Sequence, residues 1–356
     1  MTVVWRVLGA TPPSLLILQV VLYWTGLGLL ASELQQRGRG RWAFLILATG
    51  LTPISLFYIG TVQDDTLLTA LLLMTIGLSV RFGTVTGAIS GVFAVLTRPN
   101  AVFAAPPLLL RTRSIFMTVG LCGLISLALI PASRFVNIYV FRAERSHVEK
   151  SLQLFDLAGI EHFSGRHTLG PQFSRCYTPF YWDTLALDCQ AFAKTGDELT
   201  GTWLNAIAAE PLAYAEHRLS HFNDAIFFLV PPIQECVFVP QHHPCAGSHL
   251  LLKDAVTRNA LFWPITWLLI GLLLLVGPVE PPAQMLALSG LLYGFGYLAV
   301  GVASGFRYFY WTELAVQLAI AWQVATSGIP QWRRIMGPTL ILWAVAYAYR
   351  YLPLVV

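Results

Sequence analysis

Ten apolar runs set the terms on which this chain can fold. They cover approximately 12–32, 42–60, 66–80, 84–97, 101–110, 115–136, 259–277, 284–303, 309–325 and 337–354. A helix of about 20 apolar residues matches the hydrocarbon core of a bilayer. In lipid, a helix satisfies its own backbone polar groups. Charged residues make up only 11% of the chain against 56% hydrophobic, and the mean hydropathy is +0.64. A soluble domain carries about 25% charged residues. The expected fold class is therefore an all-α polytopic membrane protein of about 8–10 transmembrane or re-entrant helices. The runs 84–97 and 101–110 are too short to span comfortably. They are joined by "TRPN" and read as a re-entrant pair or as two short tilted helices.

Arginine placement gives an orientation. Arg37, Arg39 and Arg41 lie in "QQRGRGRW", Arg111 and Arg113 in "RTR", and Arg333 and Arg334 in "QWRR". With all three breaks on the cytoplasmic side, Asp64, Asp65, "TRPN", the 137–258 stretch and "SGFRYFYW" fall on the other. Counting back places the N-terminus outside, which is also what a chain looks like when an upstream span and loop are missing. The stretch 12–32 is too long for the apolar core of a signal peptide, and no small-residue cleavage site follows it. The net charge of +4 is small, and the arginines mark topology rather than a nucleic-acid surface.

The organisation expected is an N-terminal membrane bundle over 1–136, a mostly helical extracytoplasmic domain over 137–258, and C-terminal membrane helices over 259–356. All eight histidines lie in the middle stretch. So do four of the five cysteines: Cys176, Cys189, Cys236 and Cys245. An even number in one extramembrane segment implies two disulfides and an oxidising compartment. Pairs 176–189 and 236–245 would close short loops, although spacing does not fix the connectivity. Cys122 sits in an apolar run and reads as a buried small hydrophobe. "GTWLNAIAAEPLAYAEHRLSHFN" reads as helix, with Thr202 as a potential N-cap and Pro211 kinking or splitting it.

Three places carry chemistry. The acidic pair Asp64 and Asp65 precedes "TLLTALLLM". Either acid can cap the helix that follows, or one faces an extracytoplasmic cavity as a general base or metal ligand. Arg98 and Asn100 flank Pro99 in "LTRPN", either as an interfacial anchor beside a turn or as a phosphate-binding site at a cavity mouth. Arg307 and Tyr308 open "RYFYWTEL", either an aromatic belt with a basic anchor or a second anion-binding Arg beside a ring platform. Glu313 lies further into that run as a potential partner for Arg307. His217 and His221 have usable metal spacing, but Arg218 stands where a catalytic Glu would be. No metal site is assigned, and surface and inter-helix polar contacts are expected of these histidines.

The stretches "QDDTLLTALLLM", "LTRPNAVFAAPPLLL" and "FRYFYWTELAVQL" together resemble the glycosyltransferase C-fold superfamily, which includes the bacterial relatives of protein O-mannosyltransferases. "LQLFDLAGI" and the long loop helix look like the large loop of other bacterial members. The resemblance implies transfer of a sugar from a polyprenyl-phosphate donor to a glycan, lipid or protein acceptor on the outer side of a bacterial inner membrane, with the 137–258 loop in the periplasm. It implies Asp65, backed by Asp64, as the functional acid. Arg307 with Tyr308, then Arg98 with Asn100, would hold the departing phosphate. No cofactor is required by it, although the two acids could hold a divalent cation. The superfamily commonly carries its main acid on a first extracytoplasmic loop that has no counterpart in residues 1–12. A transporter and a non-enzymatic partner in cell-envelope glycan assembly are the rival readings. Convergence of Asp65, Arg98 and Arg307 would favour the enzyme, and acids along a path through the bundle would favour the transporter.

Overall fold

The computed structural model describes residues 11–110, 114–142, 148–166, 169–170, 173, 175–180, 182–195, 199–231, 258–327 and 332–352. These residues are helical, with no strand among them. The helices of seven or more residues are α1 Pro12–Leu34, α2 Ala43–Thr49, α3 Pro53–Ile59, α4 Asp64–Phe82, α5 Thr84–Thr97, α6 Ile115–Phe135, α7 Val148–Ser164, α8 Thr200–Ala209, α9 Pro211–Ala225, α10 Pro264–Leu275, α11 Pro281–Val300, α12 Tyr310–Thr326 and α13 Trp332–Tyr351. Four helical stretches are long and apolar enough to cross a membrane: Pro12–Thr49, Asp64–Phe82, Ile115–Val140 and Pro281–Val300. Fewer elements reach spanning length than the apolar runs suggest.

The reason is local. The run 42–60 is not one helix: α2 stops at Gly50, and α3 starts at Pro53 with the Thr52 hydroxyl accepting from the Ser55 amide at 3.3 Å. Proline tolerates only the first turn of a helix, so it opens a new one here. The run 101–110 is a short helix, Ala101–Ala104, and a 3-10 turn, Pro106–Leu108. In the arginine-rich break, Gly38 takes a left-handed φ of 73°, which glycine adopts without a Cβ penalty.

The chain forms two compact units. The first gathers the chain up to Glu144 with Trp267–Gly294 and Arg307–Leu340. Its centre is α12, on which Trp311, Leu314, Ala315, Val316, Leu318, Ala319 and Trp322 are all but inaccessible. Helix α4 packs between α1 and α5. Glycine permits this closeness: a Cβ at Gly77 would lie 2.9 Å from the Gly26 carbonyl oxygen, and one at Gly87 2.7 Å from that of Thr75. Small residues of this kind let helix backbones approach. Helix α6 is the opposite case, with Phe116, Leu124, Leu127 and Phe135 exposed.

The second unit comprises Arg145–Thr266, Phe295–Phe306 and the chain from Ile341 onward. Its core is α7 against α9 and α8, with Leu154, Phe155, Ala158, Phe173, Leu185 and Cys189 buried together. Helices α8 and α9 are split at Glu210, which leaves helical geometry at φ −130°, and Pro211 begins α9. Thr202 is not a cap: α8 starts at Thr200 and places Thr202 inside its first turn. Cys176 and Cys189 form a disulfide, and Cys122 is free and buried. Cys236 and Cys245 lie outside the described residues.

Candidate functional site

The acidic pair opens α4 but does not cap it. Gln63 holds the N-cap position and no side chain caps the helix. Both acids lie in the first turn, where a carboxylate suits the helix dipole. The two then part. Asp64 is exposed and Asp65 is buried. The approach to α4 is held from two sides: the Gln19 amide donates to the carbonyls of Ile59 (3.0 Å) and Thr61 (2.7 Å), and the Thr66 hydroxyl donates to the Tyr58 carbonyl (3.1 Å). Glutamine on α1 therefore fixes where the acidic turn begins.

Arg98 arrives from the end of α5. Its backbone is extended at φ −146° and ψ 123°, as a residue before proline must be, so Pro99 turns the arginine out of the helix. Its guanidinium forms an ion pair with the Asp65 carboxylate. It also lies over the Tyr308 ring at 5.2 Å. Arg307 lies over the same ring at 4.8 Å, and its Nη2 donates to the Tyr308 hydroxyl at 2.7 Å. Two cations thus share one aromatic ring, each gaining from the ring quadrupole. The turn bearing Arg307 and Tyr308, a 3-10 element over Phe306–Phe309, is anchored through the start of α12. There the Trp311 indole donates to the Ser289 hydroxyl (2.9 Å), which donates to the Ala104 carbonyl (2.7 Å), while the Thr312 hydroxyl donates to the Gly290 carbonyl (2.8 Å).

Asp65, Arg98, Arg307 and Tyr308 therefore meet. Asp64 faces away from burial, and Asn100 contributes backbone, its carbonyl accepting from the Phe103 amide at 3.1 Å. Glu313 is not an ion-pair partner of Arg307 among the described residues. Its Oε1 accepts from Gln317 at 2.7 Å, and its Oε2 is buried without a hydrogen-bond partner. Between the two groups lies Tyr58, within electrostatic reach of Asp65, Arg307 and Glu313 and stacked on Tyr310 at 4.8 Å. The Tyr310 hydroxyl donates in turn to that of Tyr23 at 3.3 Å. The sequence gives no sign of Tyr58, one aromatic among many in an apolar run.

The second unit holds a separate buried polar cluster. Asp156, fully buried on α7, accepts from the Trp203 indole (2.8 Å) and from His217 Nε2 (3.0 Å), and it pairs with Arg218. A methyl group at Gly159 would run into the His217 ring, so glycine is what lets α7 and α9 close here. His217 bonds to Asp156 across the two helices, and His221 to the Pro179 carbonyl. Burial lowers the pKa of both, and that of His221 falls to about 3. An acid within the apolar pattern of "LQLFDLAGI" was the available signal for this cluster. Among the described residues, no group of three or more His, Cys, Asp or Glu side chains is placed to hold a metal ion.

No protein-family model, no curated protein and no solved structure matches this chain.

Proposed function

We propose that this is an integral membrane glycosyltransferase of the C-fold type. It moves a sugar from a polyprenyl-phosphate donor to an acceptor hydroxyl on the extracytoplasmic side, in a bacterial inner membrane. The observation that carries the reading is the meeting of a buried acid with two arginines over one tyrosine ring: Asp65, Arg98, Arg307 and Tyr308. Four helical stretches of spanning length and a disulfide in the 137–258 stretch support the membrane setting and the oxidising side.

In this reading the acceptor oxygen attacks the sugar's anomeric carbon and the bond from that carbon to the phosphate oxygen breaks. Asp65 takes the acceptor's proton. Negative charge grows on the departing phosphate, and Arg307 and Arg98 stabilise it. Tyr308 is the ring both guanidiniums lie over, and it serves as the platform for the sugar or the lipid chain. The test is donor turnover: membranes carrying this chain or Asp65→Asn are given labelled polyprenyl-phosphate sugars. Turnover by the wild type that disappears in the variant is expected. Equal turnover in both would move the base elsewhere.

A transporter reading draws on one observation. Glu313 is buried in α12 with a carboxylate oxygen that has no hydrogen-bond partner among the described residues, and Tyr58 is within electrostatic reach of both it and Asp65. An ionisable group at such a place is a transport-site candidate in its own right.

A further inference from the structure

The polar cluster between α7 and α9 grips the segment that follows Cys176. Asp156 can only accept, so His217 carries its proton on Nε2, and its bare Nδ1 accepts from the Tyr177 hydroxyl at 2.8 Å. One turn on, His221 donates Nδ1–H to the Pro179 carbonyl at 2.6 Å. Its Nε2 is buried with no hydrogen-bond partner among the described residues. The Phe155 ring stands edge-on to both imidazoles, at 4.8 and 4.9 Å. Two buried imidazoles, both needed in the neutral form, are thus the polar anchors of Tyr177 and Pro179.

We propose that residues 176–180 form an acid-operated latch on the α7–α9 pair, released when His217 and His221 take up protons. A proton on His217 Nδ1 turns the acceptor of the Tyr177 hydroxyl into a donor. A proton on His221 Nε2 places an N–H where nothing accepts it. The groups that face these rings are Asp156 and His162 from α7, Arg218 from α9 and Tyr177 from the segment itself, while Asp224 from α9 faces Tyr177. Asp156 favours an imidazolium, but Arg218 and Trp203 already occupy it, and the Arg218 charge opposes a second cation beside it.

Burial lowers the pKa of both imidazoles, whereas a solvent-exposed imidazole titrates near about 6.5. A base whose pKa is depressed in the closed form stabilises that form above about pH 6.5, and the stabilisation is lost as pH falls. Each histidine that stays neutral when closed and is exposed when open raises the open-to-closed ratio about 25-fold between pH 7 and 5. Asp224 works the other way. Burial raises its pKa to about 6, so it takes up its proton in the closed form first. That offsets about tenfold over the same range, so His221, with its pKa at about 3, leaves about two- to threefold, and His217 adds to it in the same direction. The disulfide between Cys176 and Cys189 encloses residues 177–180. The released segment stays tethered at both ends and can re-dock when the pH is restored.

The test is amide hydrogen exchange over 177–180 in the full chain purified in detergent, corrected for intrinsic exchange, at about pH 7 and about pH 5. The wild type is expected to show an open fraction at least about two- to threefold higher in acid. His221→Gln keeps an N–H for the Pro179 carbonyl but cannot titrate, so its acid-to-neutral ratio falls about 25-fold below that of the wild type. Tyr177→Phe opens more at both pH values, with the acid ratio unchanged. A wild-type open fraction that does not respond to pH overturns the proposal, as does a full rise in His221→Gln. If that variant does not fold, exchange at the His221 ring carbon in the wild type decides the matter. The ring must become protonated over the range in which the segment opens, and a ring that stays neutral through that opening overturns the latch.

Discussion

Arg98, turned out of α5 by the proline that follows it, forms an ion pair with Asp65, which is buried in the first turn of α4. The residues are 33 positions apart in sequence, so the pair also ties the two helices together. Asp65→Asn is expected to lower donor turnover at least about 100-fold, the lower end of what a positioned general base contributes. Asp64→Asn, at an exposed position, is expected to stay within about threefold. Comparing both variants in one membrane preparation checks this. Equal losses would mean that the two acids act together.

Tyr308 is the ring that Arg98 and Arg307 share, and its hydroxyl accepts from Arg307. Tyr308→Phe keeps the aromatic face and loses one hydrogen bond. It is expected to raise the donor KM about three- to tenfold with little change in kcat, since that bond contributes about 1 kcal/mol. Tyr308→Ala removes the platform of both cations and is expected to lower kcat/KM about 100-fold. Steady-state kinetics with a labelled donor separates the two.

Helix positions were largely legible in the sequence because apolar length and proline placement are local signals. The bounds of α5 match the 84–97 run, and Pro211 marks the start of α9. The break inside 42–60 was less visible, because Gly50 and Pro53 are both tolerated in membrane helices and only their joint effect ends α2. Disulfide 176–189 was one of several connectivities that spacing allowed. The polar cluster around Asp156 was missed because its members are 61 residues apart and each alone looks like an ordinary polar residue in an amphipathic helix. Arg98 and Arg307 were singled out by chemistry, but their sharing of Tyr308 is a tertiary fact that no local pattern carries.

Gly159 sits against the His217 ring, where a methyl group would collide with the imidazole. Gly159→Ala ought to help a helix by propensity, by about 1 kcal/mol. Here the collision is expected to outweigh that gain and leave a net loss of about 1–3 kcal/mol, typical of overpacking. Thermal unfolding of the full chain in detergent, set beside alanine at the open position Gly201, checks the sign. Stabilisation at both positions would show that α7 and α9 have room to move apart.

The Cys176–Cys189 disulfide has a sequence separation of 13. Cross-linking a loop of that size stabilises a fold by about 3 kcal/mol through the unfolded state. Cys176→Ser with Cys189→Ser is therefore expected to lower the midpoint of unfolding of this unit. Opening of 177–180 should rise with it, because one end of the segment is no longer tethered. Thermal unfolding read together with amide exchange over 177–180 tests both. An unchanged midpoint would mean that packing of Leu185 and its neighbours holds this loop without the bond.

Glu313 separates the two functional readings. Glu313→Gln preserves shape, and its side chain can still accept from Gln317 and offer an N–H where Oε2 had no partner. If the protein is a glycosyltransferase built around Asp65, donor turnover is expected to stay within about threefold of wild type, because Glu313 makes no ion pair with Arg307 or Arg98 among the described residues. If the chain carries ions or protons, the same substitution removes a buried titratable group. Lying in the first turn of α12, Glu313 would then be the group whose loss abolishes substrate-driven proton movement in sealed vesicles while leaving the fold intact. Proton flux measured with a pH-sensitive dye, beside donor turnover in the same vesicles, assigns the residue. Loss of turnover with no proton flux in the wild type would place Glu313 in the enzyme's own machinery, reached from Asp65 through Tyr58.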